Sequence, residues 1–193
     1  MYKNGNIPVV GYPKPETVKW VRPEEMNTSG KPPQFVDDGA GANDVVQGSL
    51  GDCWFISALS VIVTRDELLR GGQRGLIIDP DVIIDRDIAS ALSKGVYPPI
   101  FHRFRMKGIY VLRFFKNFEW IYVIIDDRII VDRKTALPVF GSCTNKNEIW
   151  VPLIEKAYAK LHGCYENLIS GYVDEGIQEL TGFQPEKILI KNE

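Results

Sequence analysis

The stretch from Trp54 to Val63 places the strongest constraint on the fold. It contains neither glycine nor proline, and its apolar residues fall on every face of a helix. A helix of this kind is stable only when other elements bury it on all sides. Gly51 and Asp52 precede the run, and an aspartate near this position is a common helix cap. The pattern therefore predicts a buried central helix.

The other segments predict helices and strands packed around this helix. Residues 108–132 are rich in β-branched and aromatic residues and contain two turn signals, which predicts a three-stranded antiparallel sheet. Helical spacing and end signals predict further helices at residues 66–70, 85–94, 150–162 and 174–181. Helices before and after a small sheet are typical of the α+β class.

Proline distribution divides the chain into two parts. Residues 1–33 hold six of the twelve prolines among scattered charges, so we expect an extended, proline-rich N-terminal arm there. Residues 34–193 then form a single globular domain that is long enough to bury a substantial core.

Composition excludes several classes of partner. The chain is 45% hydrophobic and 25% charged, with a net charge of -2 and no long run of one sign, which argues against a nucleic-acid partner. No uninterrupted apolar stretch of about 18 residues suggests a membrane span, and the N-terminus does not resemble a secretion signal. The three widely spaced cysteines argue for reduced thiols, and a cytoplasmic location is expected.

Cys53 stands where the central helix should begin. A cysteine attacks a carbonyl as the thiolate, and a helix N-terminus stabilises negative charge both on sulfur and on a substrate oxyanion. Gln47 could supply a second oxyanion donor if Gly48 and Gly51 let the loop fold back. On the residues alone, the commoner role of a cysteine as a small apolar core filler stays open.

Gln47, Gly51, Cys53 and Trp54 match in order and spacing the residues around the nucleophile of papain-like proteases, and QGSLGDCWF resembles the calpain version. The segments PQFVDDGA (33–40), VIIDDR (123–128) and NEIWVPLIEKAYAKLHGCYENL (147–168) resemble further calpain segments. The resemblance implies the first, nucleophile-bearing half of a papain-like protease core. Cys53 is then the nucleophile, Gln47 and the Cys53 main-chain N–H form the oxyanion hole, and Trp54 and Gly51 border the substrate cleft.

The acidic loop 37–44 suggests a calcium site, because calcium prefers oxygen ligands from carboxylates and main-chain carbonyls. By resemblance to calpains, the ligands are main-chain oxygens of Asp37 and Gly39 and side chains of Asp44 and Glu148. Without a metal, Asp44 would cap a turn and Glu148 would complement a helix end. Ala42 stands where many calpains carry an arginine that links to the second half of the core, so we expect that link to be weaker here.

The general base is the part of the active site that we do not expect in this chain. Calpains carry the catalytic histidine and asparagine in the second half of the core, and we expect neither His102 nor His162 to act as the base.

The expectation is therefore a fragment of a calcium-dependent intracellular cysteine endopeptidase, which acts on protein substrates only together with the second half. Alone it would be inactive or nearly so. The alternative is a non-catalytic calcium-binding half-core, or pseudoprotease, that serves as an interaction module. Residues 71–105, which include the helix predicted at 85–94, have no clear counterpart in the family pattern, and their role as a loop, a lid or a packing element stays open.

Overall fold

The computed structural model describes residues 12–26, 30–31, 33–36, 41–65 and 107–188. Within these ranges the α-helices are α1 (Cys53–Ile62), α2 (Trp150–Leu161) and α3 (Val173–Thr181). The strands are β1 (Val18–Val21), β2 (Val45–Val46), β3 (Ile109–Lys116), β4 (Glu119–Asp126), β5 (Ile129–Asp132) and β6 (Ser142–Cys143). Short 3₁₀ turns cover Pro15–Thr17, Pro23–Glu25, Ala42–Asp44 and Tyr165–Leu168. The helices predicted at residues 66–70 and 85–94 lie outside the described residues.

Helix α1 is the buried central helix that the sequence predicts. Phe55, Ala58 and Leu59 are completely buried, and only a narrow face with Val61 remains exposed. The Phe55 ring stacks on Tyr158 of α2, with ring centroids 3.9 Å apart and planes 10° from parallel. Helix α3 packs along another side of α1. The core is therefore built around α1, with α2 and α3 as its principal neighbours.

The prediction of a three-stranded sheet is wrong, because these strands form separate antiparallel pairs of two strands each. β3 pairs with β4 from Ile109 opposite Asp126 to Lys116 opposite Glu119. β5 pairs with β1, Val18 lying opposite Asp132. Burial explains the difference: β4 alternates buried and more exposed side chains near its end, whereas the first three residues of β5 are all buried. A strand that is buried on both faces needs cover from two sides, which the edge of a β3–β4 pair does not provide.

The described part of the proline-rich N-terminal stretch contributes to this core. Val18, Val21 and Met26 are buried, and Arg22 contacts Asp127 at the turn between β4 and β5 with 2.7 Å between Nη1 and Oδ1. Residues 18–26 therefore pack as part of the domain.

Helices α2 and α3 confirm the predictions for residues 150–162 and 174–181. α2 buries Trp150, Leu153, Ile154 and Tyr158. α3 ends at Gly182, whose φ of 71° places it in the left-handed region that glycine adopts without strain. No helix in the described part of the chain is both long and apolar enough to cross a membrane.

The burial of α1 predicts that substitutions on its buried face and on its exposed face change the free energy of unfolding by different amounts. Leu59→Ala should lower the free energy of unfolding by about 2–5 kcal/mol, because Leu59 is completely buried and its loss leaves a cavity. Val61→Ala in the same helix should change it by less than about 0.5 kcal/mol, because Val61 is 57% exposed. Urea unfolding of both variants measures the difference, and equal effects would contradict the position of α1 in the core.

Candidate active site

Cys53 is the first residue of α1, and its side chain is exposed. The N–H groups of Phe55 and Ile56 both donate to the Asp52 carbonyl, at 2.8 and 3.1 Å, so the helical hydrogen bonds begin there. The first N–H groups of a helix have no acceptor within the helix. The structure therefore places an accessible thiol beside unpaired N–H groups, and the core-filler alternative does not describe Cys53.

The loop that carries Gln47 is docked in front of this helix. The Gln47 side-chain amide donates to the Leu50 carbonyl at 3.2 Å, which leaves the second N–H of the amide for another acceptor. Ser49 donates to the Val139 carbonyl through both its main-chain N–H and its hydroxyl, at 2.9 and 2.8 Å. A Cβ atom on Gly48 would lie 2.1 Å from the Phe140 carbonyl oxygen, so only glycine fits this contact.

Trp54 lies behind the candidate nucleophile and is 8% exposed. Its indole N–H donates to the Leu168 carbonyl at 2.8 Å. Gly171 packs directly on its ring, where an added Cβ would lie 2.4 Å from Cε2. Trp54 therefore ties the start of α1 to the segment that leads into α3. Gly51 is exposed and follows Leu50 in the Gln47 loop.

Two buried carboxyl groups lie beneath the helix start. Asp52 occupies the predicted cap position but makes no side-chain capping hydrogen bond. Burial raises the pKa of Asp52, and burial together with the nearby Asp52 carboxylate raises the pKa of Glu155 well above its usual range. Sequence reasoning missed Glu155, although an acid on the apolar face of α2 is a signal for a buried interaction.

Asp44 and Glu148 are brought to neighbouring segments by the pairing of β2 with β6. The Asp44 carbonyl accepts the N–H of Thr144 at 2.9 Å, and the Glu148 carboxylate accepts the indole N–H of Trp150 at 3.0 Å. Burial raises the pKa of the Cys143 thiol, and the negative charges of Glu148 and Asp44 raise it further. Both carboxylates therefore lie close to the same thiol.

The structure describes two of the four predicted calcium ligands, Asp44 and Glu148. Gln34 forms a parallel bridge with Glu148, and the Asp44 carboxylate accepts the main-chain N–H of Gly41 at 2.7 Å, which is the turn-capping role expected of Asp44 without a metal. Asp37 and Gly39 lie outside the described residues. Within the described ranges, no three His, Cys, Asp or Glu side chains form a cluster suited to a metal ion. Asp44 and Glu148 supply the carboxylates that calcium prefers, and the remaining oxygens would have to come from elsewhere.

His162 caps the end of α2 and is held in a charged cluster. Its Nε2 lies 2.8 Å from a carboxylate oxygen of Glu179, and the Lys116 ammonium lies 3.2 Å from both ring nitrogens. Its ring also packs on Tyr158. His102 lies outside the described residues. These contacts give His162 a structural role between α2, α3 and β3.

The family of this chain follows from comparison with known proteins. Residues 8–193 match a protein family that is described as "Calpain family cysteine protease". The chain belongs to the calpain family of cysteine proteases. It is 36% identical over 172 residues to calpain-8 of Homo sapiens, a match that covers 89% of this chain and 20% of the relative.

Other organisms carry similar proteins. Calpain-5 of Caenorhabditis elegans is 33% identical over 174 residues, which cover 90% of this chain and 23% of the relative. The calpain-type cysteine protease DEK1 of Arabidopsis thaliana is 34% identical over 177 residues, which cover 90% of this chain and 7% of the relative. The chain thus spans less than a quarter of the length of these relatives. Within the described residues, one of its cysteines is exposed, and that cysteine is Cys53.

The close contact at Gly48 predicts that a side chain at this position destabilises the protein. Gly48→Ala should lower the free energy of unfolding by about 1–3 kcal/mol, because the new methyl group would overlap the Phe140 carbonyl. Gly51→Ala is the matched control: its Cβ would lie 3.4 Å from Ile169, an ordinary contact. Thermal unfolding of both variants gives the comparison, and a Gly48→Ala protein as stable as Gly51→Ala would show that the loop is not docked as described.

Proposed function

We propose that this chain is the nucleophile-bearing part of a calpain-type cysteine endopeptidase. The observation that carries the proposal is the exposed Cys53 thiol at the first position of a helix that is buried on most of its faces. Membership of a cysteine protease family supports the same role. A buried helix holds its N-terminus still, and a fixed, partly positive helix end is suited to generate and retain a thiolate.

In the proposed reaction, the Cys53 thiolate attacks the carbonyl carbon of a peptide bond in a protein substrate. The negative charge that develops on the carbonyl oxygen is stabilised by the Cys53 main-chain N–H and by the free N–H of the Gln47 amide. The amine then leaves with a proton from a general acid, and water hydrolyses the thioester. Gly51 and Trp54 border the cleft in which the substrate lies.

The general acid and base belong, in this proposal, to a second half of the protease core. His162 is engaged by Glu179 and Lys116, and its contacts support a structural role. A histidine held by an asparagine in the second half would complete the site, so this chain by itself should show little or no peptidase activity. The free state of all three cysteines supports a cytoplasmic location as part of the same proposal.

Calcium regulation is the second element of the proposed function. Asp44 and Glu148 would bind the ion through their side chains, and Asp37 and Gly39 through main-chain oxygens. The bound ion would supply positive charge that holds the loop 37–44 against the segment before α2. Since β2 leads from Asp44 directly to Gln47, the position of this loop affects the oxyanion donor. A protein that bound calcium at this site but had an unreactive Cys53 would be the non-catalytic interaction module instead.

Thiol reactivity tests the proposed nucleophile without requiring the second half of the core. At neutral pH, iodoacetamide should alkylate Cys53 at least about tenfold faster than an exposed cysteine placed away from the helix end. The matched control is Cys53→Ser combined with Ser57→Cys, because Ser57 is exposed one turn further along α1. Peptide mass spectrometry gives the rates at each site, and Cys143, which is buried, should stay unlabelled in the folded protein.

Equal alkylation rates at Cys53 and at the cysteine introduced at position 57 would contradict a nucleophilic role for Cys53. Labelling of all three native cysteines only after unfolding in urea would show in addition that Cys53 is not accessible. Either result would remove the observation on which the proposed endopeptidase function rests.

Calcium binding is measured by isothermal titration calorimetry of the purified chain. We expect binding that Glu148→Gln weakens at least about tenfold, because the amide loses the negative charge but keeps the oxygen that accepts from Trp150. Glu119→Gln serves as the control, since Glu119 is an exposed acid on β4. Absence of calcium binding, or the same affinity in Glu148→Gln and wild type, would exclude the proposed site.

A further inference from the structure

Asp52 and Glu155 place two carboxyl groups in the core immediately beneath Cys53. Asp52 is 0% exposed and Glu155 is 1% exposed. Both carboxyl oxygens of Glu155 accept the main-chain N–H of Gly141, at 3.1 and 2.9 Å. In the part of the chain that the structure describes, no lysine, arginine or histidine forms an ion pair with either group. Within the described ranges, the pair therefore has none of the cations that normally accompany buried acids.

The carboxyl oxygens of Asp52 lack the donors that a buried carboxylate requires. Among the described residues, neither oxygen accepts a hydrogen bond from an N–H or hydroxyl group of a neighbouring residue. The side chain that lies within hydrogen-bonding reach of Asp52 is Glu155. A carboxyl group can donate a hydrogen bond only when it is protonated. Leaving a charged group without any donor in the core would be strongly unfavourable.

We propose that Asp52 and Glu155 share a single proton, with Glu155 donating an O–H···O hydrogen bond to Asp52, and that this pair positions the start of α1. The inference concerns the site of the proposed function and rests on it for the role of Cys53. The shared proton satisfies one oxygen of Asp52 and removes one of two adjacent negative charges.

The contacts of this pair reach both oxyanion donors of the proposed site. Asp52 is covalently joined to Cys53, whose main-chain N–H is one donor. Glu155 holds Gly141, which follows Phe140, and the Phe140 carbonyl packs on Gly48 beside Gln47. A Cβ on Gly141 would lie 3.2 Å from a Glu155 oxygen and 3.1 Å from Ile56. The carboxyl pair thus connects the helix end to the segment on which the Gln47 loop is docked.

The proton on the carboxyl pair also lowers the negative charge beside Cys53. Two ionised carboxylates next to Cys53 would oppose formation of a thiolate there, whereas a pair with one proton carries a single negative charge. Among the described residues, the phenol of Tyr165 faces the pair, and burial raises its pKa well above the usual range, so it is uncharged at neutral pH; Tyr12 lies beside Tyr165. Burial raises the pKa of Glu155 well above its usual range, in agreement with a carboxyl group that keeps its proton at neutral pH.

A shared proton makes folding depend on pH in a defined direction. Glu155 with a raised pKa binds a proton in the folded state at pH values where the unfolded chain has released it. The stability it contributes is therefore complete below the unfolded pKa of about 4.3 and is lost as the pH rises towards the folded pKa. The folding equilibrium constant should fall by up to about tenfold per pH unit in this window through this group alone.

Glu155→Gln tests the shared proton, because glutamine keeps a donor for Asp52 and an acceptor for Gly141 but does not titrate. Urea unfolding at about pH 5 and about pH 8 gives the folding equilibrium constants. We expect the constant of the wild type, relative to that of Glu155→Gln, to fall at least about tenfold between the two pH values. Glu119→Gln should follow the wild type. An identical pH dependence in wild type and Glu155→Gln would overturn the shared proton.

The positioning role is tested by the alkylation rate of Cys53 in folded protein. Glu155→Gln should keep the wild-type rate within about twofold, whereas Glu155→Leu, which leaves Asp52 without a donor, should slow it at least about fivefold. Gly141→Ala is a second variant that displaces the same segment while keeping both carboxyl groups, and it should also slow Cys53. Unchanged rates in the folded variants would overturn the positioning role.

The two proposals fail in different ways. If Cys53 in the wild type reacts no faster than the cysteine introduced at position 57, the nucleophile is wrong, but the pH difference between wild type and Glu155→Gln still decides the shared proton. If Cys53 is fast and the two proteins have the same pH dependence, the endopeptidase proposal stands and the shared proton does not.

Discussion

The stacking of Phe55 on Tyr158 fixes α1 against α2, and the rest of the described structure depends on this contact. Because α1 is apolar on nearly every face, it must be enclosed; α3 packs along it and Tyr158 of α2 stacks on it, while β3 and β4 pack against α2 and α3. Enclosing a helix leaves its end as the place where the chain meets solvent. In this protein that end carries Cys53, so the requirement to bury α1 also presents the thiol.

Polar groups that are buried near the start of α1 need hydrogen-bond partners within the protein, and not all of them have one. Trp54 finds an acceptor in the Leu168 carbonyl, and Glu148 accepts from Trp150. Asp52, in contrast, has among the described residues only its own main-chain N–H and the neighbouring acid Glu155. In well-packed proteins nearly all buried polar groups have hydrogen-bond partners, so a charged exception next to a candidate nucleophile is more informative than the many satisfied groups around it.

The sequence predicted those parts of the fold that depend on local patterns. The three described helices follow from apolar spacing and end signals, and the Cys53 position follows from Gly51 and Asp52 before the apolar run. The pairing of β5 with β1 could not be predicted, because it joins residues more than a hundred positions apart and β-strand propensity carries no information on the partner. Glu155 was missed for a related reason: periodicity assigns it to a helix face but does not show what lies opposite that face.

The residues that position Gln47 and Cys53 lie in neighbouring parts of the described chain. Gln47 and Cys53 are six residues apart and are positioned by one loop, one helix end and the segment 139–141, all within the described residues. In the proposed mechanism the general base comes from a separate half, so the oxyanion donors can be fixed in advance while the base arrives later. The loop 37–44 adjoins the pre-formed part through β2, because Asp44 and Gln47 are separated only by Val45 and Val46. A calcium ion held by Asp44 and Glu148 would therefore act on the oxyanion donors first, and on the distance to the base only through them.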